Sequence, residues 1–215
     1  MTARADQAQR KRVAVLISGR GSNMSALIDA TRNPDYPAEI ALVISNKPDA
    51  AGLEIARKHC IATLSFSQKA FETRDAFDQA IHKALQDKSI ELVALAGFMR
   101  ILTPRFCQQW LGRMINIHPS LLPAFKGLDT HRQVLAAGAR EHGCSVHFVT
   151  PELDDGPVIL QASIAVLPDD DEESLAASVL AEEHRIYPEA LAMLADGRCD
   201  IMREALSRMA LVSPQ

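Results

Sequence analysis

Residues 12–23 read RVAVLISGRGSN. The segment RVAVLIS is a short, continuous apolar run with β-branched residues, the pattern of a strand buried on both faces. Two glycines and a Ser/Asn pair then turn the chain into MSALIDATR, where Met24, Leu27 and Ile28 share one helical face. A doubly buried strand feeding straight into a helix is the unit of a parallel sheet covered by helices.

The same alternation continues outward. AEIALVIS (38–45) reads as a second strand, AAGLEIARKH (50–59) as a helix and IATLSF (61–66) as a third, short strand. FETRDAFDQAIHKALQ (71–86) is helical, with Phe71, Ala76, Phe77, Ile81 and Leu85 near one stripe. IELVALAG (90–97) and RMINIH (113–118) are strands. After Pro123 the character changes. CSVHFVT (144–150) and VILQASIAV (158–166) are strands joined by PELDDGP, short enough for an antiparallel return. A long helix, DEESLAASVLAEEHRIYPEALAMLADG, closes the pattern, with acids at its start and Gly197 where it stops. Pro188 is expected to bend or interrupt it. The expected fold is α/β: a Rossmann-like, open, mostly parallel twisted sheet with helices on both faces and a C-terminal antiparallel addition.

Composition sets the outer bounds. The chain has 215 residues, 47% hydrophobic and 23% charged, ordinary for a soluble domain able to bury its own core. A flexible leader, 1–12, is expected before a single domain, 13–215. A net charge of -4 gives no global field toward nucleic acid or anionic lipid. The basic RKR at 10–12 lies in the polar leader MTARADQAQRKR, which reads as a frayed terminus without a signal peptide's apolar segment. No apolar run is long enough to span a membrane. Cys60, Cys107, Cys144 and Cys199 are dispersed, which suits reduced packing residues and a cytoplasmic location. No HxxxH, HExxH or CxxC occurs, so no metal is expected.

In open α/β sheets, ligands gather beyond the carboxyl ends of the strands. SGRGSN, SNKPDA, AGFMR and NIHPS all lie there. SGRGSN is either an anion site, with glycines admitting a ligand to backbone N–H groups at a helix start, or an ordinary capped turn. A dinucleotide reading fails, because Met24 occupies the third glycine position and Ser45 and Asn46 end the second strand where an acid would hold a ribose. A phosphate monoester fits better, and Arg20 is a candidate for added charge. In AGFMRIL, the apolar Phe98, Met99, Ile101 and Leu102 either wall a slot for a flat ring or belong to the core, and composition alone favours the core.

Asn116 and His118 sit two apart on a strand and therefore share a face. An aspartate from the LDDGP turn nearby would hold the imidazole and raise its pKa. Amide, imidazole and carboxylate together suit acyl transfer: two stabilise an oxyanion, and the third handles an attacking amine's proton. The bland alternative is that His118 caps a turn and Asp154 starts one. On the last helix, Leu175, Val179, Ile186, Ala190 and Leu194 form a stripe on which Glu183 falls. That inward carboxylate needs a partner, either an arginine or a substrate amine or hydroxyl. His59, His82, His142 and His184 need no role.

With these residues gathered, the chain resembles the phosphoribosylglycinamide formyltransferase family. The matching elements are VLISGRGSNMSALIDA, VISNKPDAAGLEIA, LAGFMRIL, NIHPSLLPAFKGLDTHRQVL, HGCSVHFVTPELDDGPVI and EEHRIYP, in family order from about Val13 to Gly197. The resemblance implies formyl transfer from 10-formyltetrahydrofolate to the amine of glycinamide ribonucleotide, in purine synthesis. It implies Asn116, His118 and Asp154 as catalytic residues. It implies that Gly21, Ser22 and Asn23 bind the ribonucleotide's phosphate, and that Glu183 holds its ribose or glycinamide end. Arg74, Met99, Arg100, Ile101 and Leu102, with Asn116, would contact the folate. The N-terminal half would then carry the ribonucleotide phosphate site and the C-terminal half the folate site. Small molecules, not nucleic acid or membrane, would be its partners, with the chain a monomer or homodimer. No role for Arg20 or Asp155 is inherited, and residues 198–215 match the family only loosely. Methionyl-tRNA formyltransferase would add a C-terminal domain and a basic surface, and formyltetrahydrofolate hydrolase an N-terminal regulatory domain. A non-catalytic nucleotide-binding module would keep SGRGSN without needing the trio.

Overall fold

The computed structural model describes residues 10–212, with side chains through residue 208. The sheet has seven strands in the order β3-β2-β1-β4-β5-β6-β7. Strands β1 (Lys11–Ile17), β2 (Ala38–Ser45), β3 (Ala62–Ser65), β4 (Leu92–Leu95) and β5 (Met114–His118) run parallel. β6 (Glu141–Phe148) and β7 (Val158–Ala165) return antiparallel, as the short PELDDGP junction requires. Helices α1 (Ser22–Thr31), α2 (Ala51–Lys58) and α3 (Arg74–Asp87) are the crossovers of the parallel half. The expected architecture is the one observed.

Two apolar layers flank the sheet. On one face Val13, Val15 and Ile17 pack with Met24, Leu27 and Ile28 of α1 and with Val179, Ile186 and Tyr187 of α6 (Glu172–Ala195). On the other, Ala14 and Leu16 pack with Phe77, Ile81 and Leu85 of α3 and with Phe106 and Trp110. Alternate residues of one strand thus enter opposite cores, which is why the run is apolar without a break.

Several elements differ from expectation. α6 continues through Pro188. The ring removes one helical hydrogen bond, but residues on both sides of it, Ile186, Tyr187, Ala190 and Leu191, are buried in one core. Burial on that scale outweighs the lost bond. The expected leader 1–12 is too long: β1 starts at Lys11. Arg10 donates to the Ala38 carbonyl at 3.0 Å, Lys11 pairs with Glu91 at 2.7 Å and Arg12 with Glu39 at 2.8 Å. The basic cluster is therefore neutralised along the amino ends of the strands. Residues 1–9 lie outside the described residues. In the loosely matching tail, Asp200–Val212 forms helix α7. Two short helices, α4 (Pro104–Gln109) and α5 (Thr130–Ala136), fill stretches that carry no clear helical period.

The antiparallel half relies on close backbone approach at Gly143, where a Cβ would lie 1.9 Å from the Ala162 carbonyl oxygen. A backbone atom of the neighbouring strand cannot step aside as a side-chain tip can. Gly143→Ala should therefore cost about 3 kcal/mol or more, read as a lower urea midpoint. An unchanged midpoint would mean that β6 and β7 separate freely.

Candidate active site

The glycine turn after β1 is shaped by close approach. Gly21 has φ 78 and caps α1. A Cβ on it would lie 3.0 Å from the Gly52 Cα, and the Gly52 N–H donates to the Gly19 carbonyl at 3.0 Å. The starts of α1 and α2 thus touch through glycines. No side chain caps α1, so its first N–H groups keep their anion-binding potential. Ser22 and Asn23 open the helix, and Arg20 is exposed.

Ser18 ties three strand ends together. Its hydroxyl donates to the Asn46 Oδ1 at 2.6 Å and accepts the Met99 N–H at 2.8 Å, while its own N–H donates to the Gly97 carbonyl. The turn after β1 is thereby braced to the segment after β4. In that segment Phe98 and Leu102 are buried, whereas Met99 and Ile101 are 65% and 60% exposed. The apolar residues of AGFMRIL are thus divided between core and mouth. The Arg100 side chain points inward, its guanidinium 4.1 Å above the Phe77 ring. The alternation that exposes Met99 and Ile101 turns Arg100 the other way, so that only its backbone stands at the mouth. Arg74 is exposed at the start of α3.

Asn116 and His118 end β5 and face β6. The antiparallel register sets Asn116 opposite His147 and His118 opposite Ser145. The His147 Nδ1 donates to the Phe148 carbonyl at 2.9 Å. Its Nε2 is then the acceptor in a neutral ring and receives the Asn116 amide at 3.2 Å. Burial lowers the His147 pKa and keeps that ring neutral. The His118 Nε2 donates to the Phe125 carbonyl at 3.0 Å, and its Nδ1 lies 3.5 Å from the Asp154 carboxylate. The other Asp154 oxygen is 3.7 Å from His147 Nε2. Asp154 also accepts the Gly127 N–H at 3.0 Å and has φ 49, a backbone strain held by its turn. Both carboxylate-to-ring distances are too long for direct hydrogen bonds. Asp155 pairs instead with Lys126. Ser145 braces the NIHPSLLP turn by donating to the Ser120 carbonyl at 2.6 Å and accepting the Leu122 N–H at 3.0 Å.

Glu183 is 6% exposed on the inner stripe of α6. Its partner is neither an arginine nor left open: the Asn23 amide donates to its carboxylate at 2.8 Å. Burial pushes the Glu183 carboxyl above the usual range, and this bond opposes the shift. The Asn23 Oδ1 is buried without a partner.

The glycine turn and the Asn116–His118 strand end stand two strand spacings apart, with the β4 segment between them. That is about 10 Å, within reach of one small ligand. A helix start with free N–H groups, a half-apolar mouth and an amide–imidazole–carboxylate group thus lie together, the groups that acyl transfer calls for. The formyl transferase family model matches residues 11–191, and the chain belongs to that family. It is 49% identical to the phosphoribosylglycinamide formyltransferase of Escherichia coli (strain K12) over 193 residues, 90% of this chain and 91% of that one. It is 48% identical to the trifunctional purine biosynthetic protein adenosine-3 of Drosophila melanogaster over 202 residues. The match spans only 15% of that relative's length and 19% of the Bos taurus counterpart's. Among solved structures, glycinamide ribonucleotide transformylase 1 from Symbiobacterium toebii superposes with a TM-score of 0.86 at 47% identity, covering 88% of this chain and 89% of that chain.

Sequence reasoning missed His147. The signal was present: a polar residue inside the apolar run CSVHFVT, two from Ser145, on a strand that must return beside NIH. It also gave no role to His142, which is buried on β6, with its Nε2 3.0 Å from the His131 Nδ1. Burial first, then the charges of His131 and His118, lower the His142 pKa from 6.5 to about 4. The unfolded chain therefore takes up a proton below 6.5 that the native chain refuses until about 4. Stability is full above that window and is lost as the pH falls through it. The complete loss is on the order of 3 kcal/mol. Urea midpoints should fall between about pH 7.5 and about pH 5, and His142→Asn should flatten the fall. An equal slope in the variant would remove His142 as its source.

Proposed function

We propose that the chain transfers the formyl group of 10-formyltetrahydrofolate to the primary amine of glycinamide ribonucleotide, as an enzyme of purine biosynthesis. The observation that carries this reading is the meeting of Asn116, His118 and Asp154 at the end of β5. The amine attacks the formyl carbon, forming a C–N bond and a tetrahedral oxyanion. The bond from that carbon to the folate nitrogen then breaks. The amine must lose a proton and the leaving nitrogen must gain one, so the net step is proton transfer between them.

In this mechanism, the Asn116 amide and the protonated His118 ring donate to the oxyanion. Asp154 supports the charged ring and relays the proton through water. His147, held neutral, orients the Asn116 amide. No nucleophilic serine or cysteine is needed, because the substrate amine is itself the nucleophile. Gly21, Ser22 and Asn23 hold the phosphate at the start of α1. Glu183 exchanges its bond to Asn23 for one to the ribose or glycinamide end. Met99 and Ile101 wall the folate ring, with the Arg100 backbone between them, Leu102 packed behind them and Arg74 at the rim. The enzyme works on small molecules in a reducing cytoplasm, which four free cysteines suit.

The first test is formyl transfer by the purified protein, followed by folate absorbance with and without glycinamide ribonucleotide. Turnover that depends on the ribonucleotide supports the reading. Deformylation without it would mean a hydrolase, and ligand binding with no turnover would mean a binding module. His118→Ala and Asp154→Asn should each lower kcat by about a hundredfold or more while ribonucleotide affinity holds. Equal loss of rate and binding in well-folded variants would make these residues structural. Ser22→Asp should instead weaken ribonucleotide binding about tenfold or more by setting charge against phosphate. Unchanged affinity would remove the phosphate assignment.

A further inference from the structure

Among the described residues, Asp78 is the one buried carboxylate that this mechanism does not use. It lies on the inner face of α3 among Phe77, Ile81 and Leu85 and is 0% exposed. An apolar residue would fill that face without the cost of burying a charge. Its contacts all run to the segment that carries Met99 and Ile101. One oxygen accepts the Thr103 N–H at 2.7 Å. The other lies 3.9 Å from the Arg100 Nε, and those two atoms are both buried without a hydrogen-bond partner. The same guanidinium stacks over Phe77, the residue next to Asp78. Two adjacent residues of α3 therefore hold Arg100 inward.

The segment is fixed at its other end by Ser18, which binds the Gly97 carbonyl and the Met99 N–H. Between these two anchors the chain alternates faces. Phe98, Arg100 and Leu102 go in, and Met99 and Ile101 go out. Releasing Arg100 would free the alternation and let the exposed pair turn away from the mouth.

We propose that Asp78 is a positioning residue for the folate: it fixes residues 100–103 so that Met99 and Ile101 present a preformed apolar wall. This rests on reading that wall as the folate slot. Asp78→Asn keeps the size of the side chain and an acceptor for Thr103, and removes only the charge facing Arg100. The KM for 10-formyltetrahydrofolate should rise about tenfold, while kcat and the KM for glycinamide ribonucleotide stay within about twofold. Amide hydrogen exchange should quicken in residues 97–103 and not in the β1–β4 core. In an Arg100→Met background, Asp78→Asn should add no further effect on KM.

An unchanged folate KM would overturn the proposal. So would an equal rise in both KM values with faster exchange throughout, since that is general destabilisation. If the unaltered protein shows no formyl transfer, the functional reading fails by itself. The exchange experiment then still decides whether Asp78 holds the segment.

Discussion

The register between β5 and β6 is the constraint on which the site depends. Side chains alternate along a strand, so a slip of one residue would carry every member of a row to the other face. The observed register sets Asn116 against His147 and His118 against Ser145. With a slip, the amide would lose the ring that orients it, and the NIHPSLLP turn would lose the hydroxyl that braces it. On the far side of β6, glycines fix its pairing with β7. At Gly143 the β7 backbone comes so close that no Cβ fits, and at Gly156 a Cβ would lie 1.8 Å from the Phe148 carbonyl oxygen. The short return through Asp154 is thus locked to the end of β6. The polar cluster is a consequence of strand pairing and not of a flexible loop finding its target.

The parallel half supplies a second form of rigidity. β1, β4 and β5 are neighbours, so the segments that follow them emerge side by side. Ser18 joins the first of these to the second with one hydroxyl and one N–H. Asp78 joins the second to α3. The glycine turn and the apolar mouth therefore share a frame. Buried polar groups do this work better than apolar packing, because a hydrogen bond fixes direction as well as distance.

The parallel core was legible because its strands are continuous apolar runs and its helices have clear stripes. Asn116, His118 and Asp154 stand out in the sequence because they lie at boundaries where turns are marked by proline and glycine. Other features depend on tertiary context. Pro188 reads as a bend or an interruption, and it does not interrupt the helix because the core on both sides carries it through. α4 and α5 are too short to show a period. The inward turn of the Arg100 side chain depends on its partners on α3, which nothing in the local sequence marks. The role of Asn23 in answering Glu183 joins residues 160 positions apart and is invisible to any local pattern. Each of these depends on which surface an element meets, which local sequence does not encode.

In the proposed mechanism, the ring bond of His118 bears on how the site separates ground state from transition state. Its Nε2 proton is held by the neutral carbonyl of Phe125 at 3.0 Å. A formyl carbonyl offers an acceptor of about the same strength, so exchanging one for the other gains little when substrate binds. An oxyanion is different, because a charge-assisted hydrogen bond is about twice as strong as one between neutral groups. The donor is thus won over as negative charge develops. The Asn116 amide faces the same choice, with the neutral His147 ring as its alternative. Donors engaged by weak acceptors within the protein favour the transition state over the substrate, which is the differential binding that catalysis requires. Asp154 completes the logic. Its carboxylate stands 3.5 Å from the other ring nitrogen, on the side of the ring away from the Phe125 carbonyl.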